Sequence, residues 1–484
     1  MFKNRDQYLD RNLGYTPGKR RRKKGNGVII VSILLIIFAF TCGVTGYKLA
    51  KKYLGEGKNP DELNRFLNEN GLTPGAGPTL AAGISLTPTW IPTPIPTTFV
   101  KPGIDDPYLA DFVDNRDPLA NIRAAGFDTS IYDDDYPFQA KGVYAGHIKK
   151  NTKVYDNVTW LAGFTELNAV IIDVRDDFGY ITYDMDVDLV KELDLVAPRD
   201  GKHYTDDMPG LLRELHSRGI YCIARIVCFK ESYFTYSPIA KYRSDWLIKN
   251  KDGSVFRDKT NLNGTDRPYA WMNVYNPEVM DFIVDISMQA ARDGFDEICY
   301  DYMRAPAYDE IGNGSEIDFD FDNCMDQISK FIRYACNSLK PLGVYVSGSV
   351  FGITIDLDGV NIGQGYEELS KYFDYICPMI YPSSFVDNYL SLFGVDSVHE
   401  HPYDLISYLV RKSEKKLKAL KSNWDGPVAK CRPWLQAGAY DYTKVREQIL
   451  GSEDNGIFSW MLWNSAVEYD QDFFLTLEEA KLKK

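Results

Sequence analysis

Histidine and cysteine are scarce in this chain, with five and eight residues among 484. The histidines show no His-Glu-x-x-His spacing, and His399-Glu-His401 falls in a predicted loop, so the sequence predicts no metal site. No Cys-x-x-Cys pair occurs either. Several cysteines lie on or beside apolar runs, where we expect buried free thiols rather than disulfides; they are Cys222, Cys228, Cys299, Cys377 and Cys431.

Two further motifs of common enzyme classes are missing. The chain has no Gly-x-Ser-x-Gly elbow, since Ser347-Gly-Ser349 lacks the flanking glycines, and this disfavours an α/β-hydrolase triad. No glycine-rich phosphate loop follows an apolar run, which disfavours a nucleotide-binding sheet. The sequence therefore predicts no cofactor.

Charge is divided sharply along the chain. The first 52 residues carry 12 Lys and Arg against two Asp and Glu, whereas the remaining residues carry 43 basic and 66 acidic side chains. An acidic body has little affinity for a phosphate backbone, so we expect no nucleic-acid partner.

The basic cluster at 19–24 precedes an uncharged apolar run at 28–47, which is long enough for one helix to cross a bilayer. The stronger positive charge lies before the run, so the sequence predicts a cytoplasmic tail at 1–27, a transmembrane helix at 28–47 and a body outside the membrane. This is a single-pass type II arrangement with the lipid bilayer as a partner. A cleaved signal peptide ending near Val44-Thr-Gly46 is the alternative.

A segment rich in proline and threonine follows. Residues 87–98 contain four prolines and five threonines, a composition that favours extended polyproline geometry over a packed core. We therefore predict an extracellular, largely disordered linker at 48–137 and a folded domain at 138–484.

Within the domain, short apolar runs alternate with amphipathic segments, which is typical of a parallel sheet covered by helices. Eight candidate strands in about 340 residues favour a closed (β/α)8 TIM barrel over a doubly wound sheet. The predicted strands are 142–147, 169–174, 220–227, 297–301, 343–347, 375–380, 432–436 and 456–463, and the predicted helices include 206–217, 277–292, 322–339 and 403–420.

Active sites of such barrels gather at the carboxyl ends of the strands, and polar side chains occur at several of these ends. Asp173 and Arg175 are two residues apart in the second strand, so their side chains are expected on the same face and both to point inward. Carboxylates with arginine and aromatic partners suit carbohydrate chemistry. The predicted substrate-binding residues are Arg175, Asp176, Arg225, Tyr302, Arg304, Tyr381, Trp434 and Trp463.

From about residue 141 to residue 469 the chain resembles a family of glycoside hydrolase-like domains, formerly a domain of unknown function and related to α-amylase-type barrels. The resemblance implies a (β/α)8 barrel that acts on glycosidic bonds, with Asp301 in the place of the strand-four nucleophile. The segments that carry it are Lys141-Gly-Val-Tyr144, Val170-Ile-Ile-Asp-Val174, Ala224-Arg-Ile-Val227, Gly294-Phe-Asp-Glu-Ile298, Asp301-Tyr-Met-Arg304, Pro378-Met-Ile-Tyr-Pro-Ser383, Arg432-Pro-Trp-Leu-Gln436 and Trp460-Met-Leu-Trp463.

The chain departs from the family pattern at three places. Ser349 stands where the fifth strand of the family has an aspartate, which implies loss of the general acid or of a residue that supports it. Ser384 replaces a histidine, and the run ending in Gln436-Ala437 lacks an expected acidic residue.

Glycoside hydrolysis needs two carboxyl groups. The sequence predicts Asp301 as the first and Asp173 as the second, with Asp176 and Asp356 as alternatives. Two functions remain open: a membrane-anchored extracellular glycoside hydrolase acting on cell-envelope or environmental polysaccharide, or an inactive barrel that binds glycan or cell wall.

Overall fold

The computed structural model describes residues 99–109, 114–132, 138–199, 201–233, 237–258, 268–307, 310, 316–357, 359 and 361–482. The predicted membrane helix at 28–47 and the proline-rich segment at 87–98 lie outside these residues. Among the helices that are described, none is long and apolar enough to cross a membrane.

Eight parallel strands form a closed barrel. In chain order they pair β1–β2–β3–β4–β5–β6–β7–β8, and β8 pairs again with β1, so the sheet has no free edge. This confirms the predicted closed barrel over the doubly wound sheet. The strands are β1 Lys141–Gly146, β2 Ala169–Arg175, β3 Tyr221–Val227, β4 Glu297–Asp301, β5 Tyr345–Phe351, β6 Tyr375–Ile380, β7 Trp434–Gln436 and β8 Trp460–Trp463.

Helices cover the outside of the barrel between consecutive strands. Asn276 caps the helix after β3 through its side chain, and Pro277 occupies the first turn, as predicted. The helices of nine residues or more are Lys153–Phe164, Met208–His216, Pro277–Asp293, Cys324–Leu339, Pro402–Lys421 and Tyr442–Glu453, and the shorter ones are Ala120–Ala124, Asp188–Glu192, Pro238–Tyr242, Tyr366–Leu369 and Leu477–Leu482.

Three strands differ from their predicted bounds by two residues or more. Strand β5 continues to Phe351, so Ser349 lies within the strand and not beyond its end. The seventh strand of the barrel is interrupted. Lys430–Cys431 pairs with β6, and the pairing resumes at Trp434 after Pro433, which has no N–H to donate. Strand β8 begins late because the turn before it places Gly456 at φ +84°.

Two short antiparallel pairs lie outside the barrel. One joins Lys230–Tyr233 to Tyr269–Trp271, and the other joins Lys249–Asn250 to Ile317–Asp318. Both belong to the long connections that follow β3 and β4. The first pair begins three residues after β3 and helps to position Lys230 at the rim of the barrel.

Residues of the predicted linker cover the amino-terminal end of the barrel. Ile122 is fully buried in the cluster that fills the barrel interior, and Tyr132 packs edge-on against Phe138 with ring centroids 5.4 Å apart. Arg116 donates to both carboxylate oxygens of Asp374 at 2.8 and 2.9 Å. The folded unit therefore includes residues 114–132, which pack against it ahead of position 138.

A buried ion pair lies inside the barrel near the amino ends of the strands. Arg432 donates to both oxygens of Glu297 at 2.8 and 2.9 Å, and Ser347 donates to the same carboxylate at 2.5 Å. Both charged side chains are almost completely buried, so each compensates the other in a site closed to water. This end of the barrel is structural, and the accessible chemistry lies at the opposite end.

Candidate functional site

Arg225, which projects from β3, bridges three carboxylates at the carboxyl end of the barrel. Its Nη1 donates to Asp173 at 2.9 Å and to Asp177 at 3.1 Å, and its Nε donates to Asp301 at 2.9 Å. The pairing of β2 with β3 places Asp173 directly beside Arg225, and Asp301 ends the next strand. Strand register therefore brings together Asp173, Arg225 and Asp301, which are three of the predicted site residues.

Asp173 is the buried member of this group, with 1% of the residue exposed. One carboxylate oxygen accepts from Arg225, and the other accepts from the Tyr144 hydroxyl at 2.6 Å. Burial raises the pKa of Asp173, although the Arg225 charge opposes the shift. Asp173 can therefore retain a proton more readily than an ordinary aspartate.

Asp301 is held by the turn that follows its own strand. Tyr302 has φ +50°, a left-handed conformation that is uncommon for a residue with a side chain. This turn directs the Tyr302 N–H back to Asp301 at 2.7 Å, while Arg225 engages the other carboxylate oxygen. The Asp301 side chain remains 12% exposed and faces the mouth of the barrel.

Asp177 and Lys230 complete the charged cluster. The Asp177 side chain is 36% exposed, the most accessible of the three carboxylates around Arg225. Burial alone would raise its pKa, but Arg225 and Lys230 outweigh that effect and lower it. The Lys230 ammonium lies 4.2 Å from the Tyr269 ring centroid and 4.6 Å from the Tyr302 ring centroid.

An aromatic pair lies at the carboxyl ends of β6 and β8. The rings of Tyr381 and Trp463 stack with centroids 5.4 Å apart and an interplanar angle of 26°. Burial raises the pKa of Tyr381, and the Asp301 charge raises it further, so the hydroxyl remains a neutral hydrogen-bonding group. Both side chains are partly exposed and supply an apolar surface beside the carboxylates.

Arg175 does not join this cluster. Pairing between β2 and β3 shifts after Asp173, where one extra residue of β2 forms a bulge. Arg175 instead forms a buried ion pair with Glu231 and donates to the Val227 carbonyl at 2.5 Å. The expectation that Arg175 and Asp173 point to the same site therefore fails because the bulge breaks the alternation between them.

Three other predicted binding residues are too buried to form an open binding surface. Arg304 is 5% exposed and donates to both oxygens of Glu310. Trp434 is 3% exposed, and its indole N–H donates to Ser349 at 3.0 Å inside the barrel. Asp176 is 1% exposed and lies against two histidines.

The remaining alternative carboxylate is also engaged elsewhere. Asp356, which follows β5, forms an ion pair with Lys412 and accepts a hydrogen bond from Tyr389. On β5 itself, Ser349 is buried beside the Cys299 thiol at 3.5 Å. The position of the family aspartate is therefore filled by a hydroxyl that serves the barrel interior. The seven cysteines that the structure describes are buried and free, which agrees with the prediction made for five of them.

Sequence reasoning missed Tyr144, Asp177 and Lys230 as members of the site. Asp177 and Lys230 each follow a strand by two or three residues, so their position just beyond the strand ends could have identified them in the sequence. Tyr144 lies within β1, and only the register of β1 against β2 brings its hydroxyl to Asp173.

A comparison with known protein families matches most of the barrel. Residues 142–469 match the family described as "Putative glycosyl hydrolase domain". The chain belongs to this family. The match spans the barrel from β1 to beyond β8 and confirms the resemblance seen in the sequence.

Solved structures are related more distantly, and no curated protein matches the chain. A hypothetical protein from Ruminiclostridium thermocellum ATCC 27405 is 25% identical, with a TM-score of 0.35 over 43% of this chain and 96% of its own. The PgaB (BpsB) glycoside hydrolase domain from Bordetella bronchiseptica is 16% identical, with a TM-score of 0.42 over 70% and 99%. The α-galactosidase TtGalA from Thermus thermophilus, in complex with stachyose, is 13% identical, with a TM-score of 0.42 over 73% and 66%. Likenesses at this level do not identify a substrate for this chain.

Proposed function

We propose that this protein hydrolyses glycosidic bonds of a polysaccharide at the carboxyl end of its barrel, with Asp301 as the carboxylate that contacts the reacting sugar. The observation that carries the proposal is the bridge made by Arg225 between Asp301 and two further carboxylates. Hydrolysis of a glycosidic bond requires two carboxyl groups flanking that bond. A single guanidinium contacts Asp301 and both neighbouring carboxylates, which supports the proposal that the pair is drawn from this group.

The exposed fractions of the side chains favour Asp177 over Asp173 as the second carboxylate. Asp173 is almost completely buried, so we infer that it acts through Arg225 and Tyr144 as a positioning residue. Asp177 shares the same guanidinium and is one-third exposed, so it can reach a bound sugar. Its lowered pKa keeps it ionised, which suits a base or an electrostatic partner of an oxocarbenium-like transition state.

We further propose that residues 28–47 anchor the protein as a single-pass type II membrane protein with the barrel outside. The support is the uncharged apolar run and the basic cluster before it. The substrate would then be a polysaccharide of the cell envelope or of the surroundings. The proline-rich segment would hold the barrel away from the bilayer.

The proposed function is tested by incubating the full-length protein with a panel of α- and β-linked polysaccharides, including peptidoglycan, and measuring new reducing ends. We expect release from at least one glycan. Binding of a glycan without release from any of them would favour the second candidate function, an inactive barrel that binds glycan. Ser349 favours that candidate, because the family carboxylate on β5 is replaced by a buried hydroxyl.

Asp177→Asn tests the second carboxylate. We expect kcat to fall by about 10²-fold, because a positioned acid or base contributes about that much or more. Stability should change by less than about 1 kcal/mol, since the side chain is partly exposed and its ion pair is screened by water. Steady-state kinetics on the glycan found by the panel, with urea unfolding beside it, separate the two effects. An unchanged kcat would remove Asp177 from the reaction.

Trp463→Ala tests the aromatic pair as a sugar platform. Loss of a stacking ring is worth about 0.5–1.5 kcal/mol, so KM should rise roughly 2- to 10-fold with little change in kcat. Trp160→Ala is the matched control, because Trp160 is an exposed tryptophan on the outer helix Lys153–Phe164. Equal effects of the two substitutions on KM would contradict a platform at Trp463.

A further inference from the structure

A second cluster of polar side chains lies beside the carboxylates just described, and glycoside hydrolysis does not use it. His147 follows β1, Asp176 follows β2, and His203 comes from the loop before the helix Met208–His216. Three separate segments thus bring two imidazoles and one carboxylate together. The imidazoles are about one-fifth exposed, whereas Asp176 is buried, so the cluster is open on one side.

The three candidate ligand atoms form a small triangle. Asp176 Oδ2 lies 3.1 Å from His147 Nε2 and 2.8 Å from His203 Nδ1, and the two nitrogens are 3.3 Å apart. Ligands held about 2.0–2.2 Å from one metal ion are separated from each other by about 2.8–3.6 Å in tetrahedral or octahedral geometry. The three separations match those that a shared metal ion requires, so small shifts of the side chains would allow one ion to bind all three atoms.

Asp176 is oriented for such a role by the backbone. Its Oδ1 accepts the N–H groups of Phe178 at 2.8 Å and Tyr180 at 3.0 Å, which leaves Oδ2 facing the imidazoles. A carboxylate whose second oxygen is fixed by hydrogen bonds is a common feature around metal ligands. The His203 ring is also packed edge-on against Phe178, with centroids 5.2 Å apart, which limits its rotation.

A second His-Asp cluster shows what a purely structural arrangement looks like in this chain. His216 lies 2.8 Å from Asp296 Oδ2, but that same oxygen accepts the Cys222 backbone N–H at 2.7 Å. Asn121 donates to the other oxygen at 2.8 Å, and the histidine is completely enclosed. Every part of Asp296 is thus engaged by the protein, and no open side remains. The His147 cluster differs in both respects.

We propose that His147, Asp176 and His203 bind a divalent transition metal ion, with Zn²⁺ as the first choice. Two imidazoles and one carboxylate are ligands that such ions accept, and three protein ligands leave at least one coordination position for water or substrate. The site lies next to the proposed reaction centre, because His147 Nε2 is 3.8 Å from Asp173 Oδ2. This proposal departs from the sequence-based expectation of no metal site.

Equilibrium dialysis of untagged full-length protein against Zn²⁺, followed by titration calorimetry, tests the proposal. We expect one tightly bound ion per chain. His147→Ala and His203→Ala should each weaken binding by more than about 100-fold, since even outer residues of metal sites cost 10- to 100-fold. His399→Ala is the matched control: this histidine also lies against an aspartate, Asp387, but in a surface loop, and its loss should leave binding unchanged.

X-ray absorption of the Zn²⁺-loaded wild-type protein keeps the test independent of how well the variants fold. We expect a first shell of nitrogen and oxygen at about 2.0–2.2 Å with histidine scattering. Failure of the wild type to bind one ion, or equal affinity in His147→Ala and wild type, would overturn the proposal. Sulfur at about 2.3 Å would also overturn it, because cysteine would then be the ligand. All of these readouts are independent of glycan cleavage.

Discussion

Asp301→Asn should abolish glycan cleavage while leaving the barrel folded. The substitution keeps the size of the side chain and its hydrogen bond from the Tyr302 N–H, but removes the charge that a nucleophile or base needs. We expect kcat/KM to fall by about 10⁴-fold, the upper part of the range for a positioned acid or base. Initial rates of reducing-end release at several substrate concentrations measure the change.

Asp186→Asn is the matched control for this experiment. Asp186 is 81% exposed and pairs with Lys191 on the surface, so its charge can be removed at little expense to the fold. Its rate should stay within about twofold of wild type. An Asp301→Asn variant that keeps a tenth or more of the wild-type rate would exclude Asp301 from the chemistry.

Arg225→Ala should cause the largest loss of stability at the site. Removing the guanidinium leaves Asp173 buried without its cation and also releases Asp301 and Asp177. Breaking a buried ion pair in this way costs about 3–5 kcal/mol in the free energy of unfolding. Urea unfolding of variant and wild type at neutral pH measures the difference, and activity should be lost with it.

The loss of stability caused by Arg225→Ala should depend on pH. Burial already raises the pKa of Asp173 while Arg225 opposes the shift, so removing Arg225 raises that pKa further. A carboxyl group with a raised folded-state pKa binds its proton more tightly in the folded protein, so acid favours folding. The destabilisation should therefore be largest near pH 7 and shrink towards about pH 4. A loss that stays constant across this range would show that the guanidinium stabilises by packing alone.

Arg199→Ala provides the comparison for Arg225. Arg199 pairs with Asp184, but its side chain is 71% exposed, so the loss should lie within about 1 kcal/mol at every pH. A comparable loss from Arg199→Ala would contradict the role assigned to burial around Arg225.

Much of the barrel is predictable because its strands are short apolar runs that end in polar residues. The bounds predicted for β4 and β6 agree with the structure, and the helix begun by Asn276 and Pro277 differs by one residue. The exceptions have local causes. Pro433 interrupts β7, Gly456 delays β8, and residues 114–132 look like linker because their few apolar side chains show no regular spacing. Their packing depends on the barrel end that they cover.

The site is predictable only in part, because strand register and burial are not visible in the sequence. The exits of β2, β3 and β4 indicate Asp173, Arg225 and Asp301, and the structure places these three side chains in contact. A single bulge redirects Arg175, Glu310 engages Arg304, and Trp434 points into the barrel interior. His147 and His203 are 56 residues apart in the chain. Both histidines contact Asp176 because two strand ends are neighbours and one loop folds back towards them. No local sequence motif predicts this arrangement.

A crystal structure of the Asp301→Asn variant with an oligosaccharide from the glycan that the wild type cleaves would show directly whether the carboxyl end of the barrel binds the bond to be cleaved. The prediction is a sugar packed on the Tyr381–Trp463 pair, with the anomeric carbon of the bond to be cleaved facing residue 301 and with Asp177 beside the ring. An oligosaccharide bound outside the barrel mouth, with no contact to residue 301, would contradict the assignment of this end of the barrel as the catalytic site.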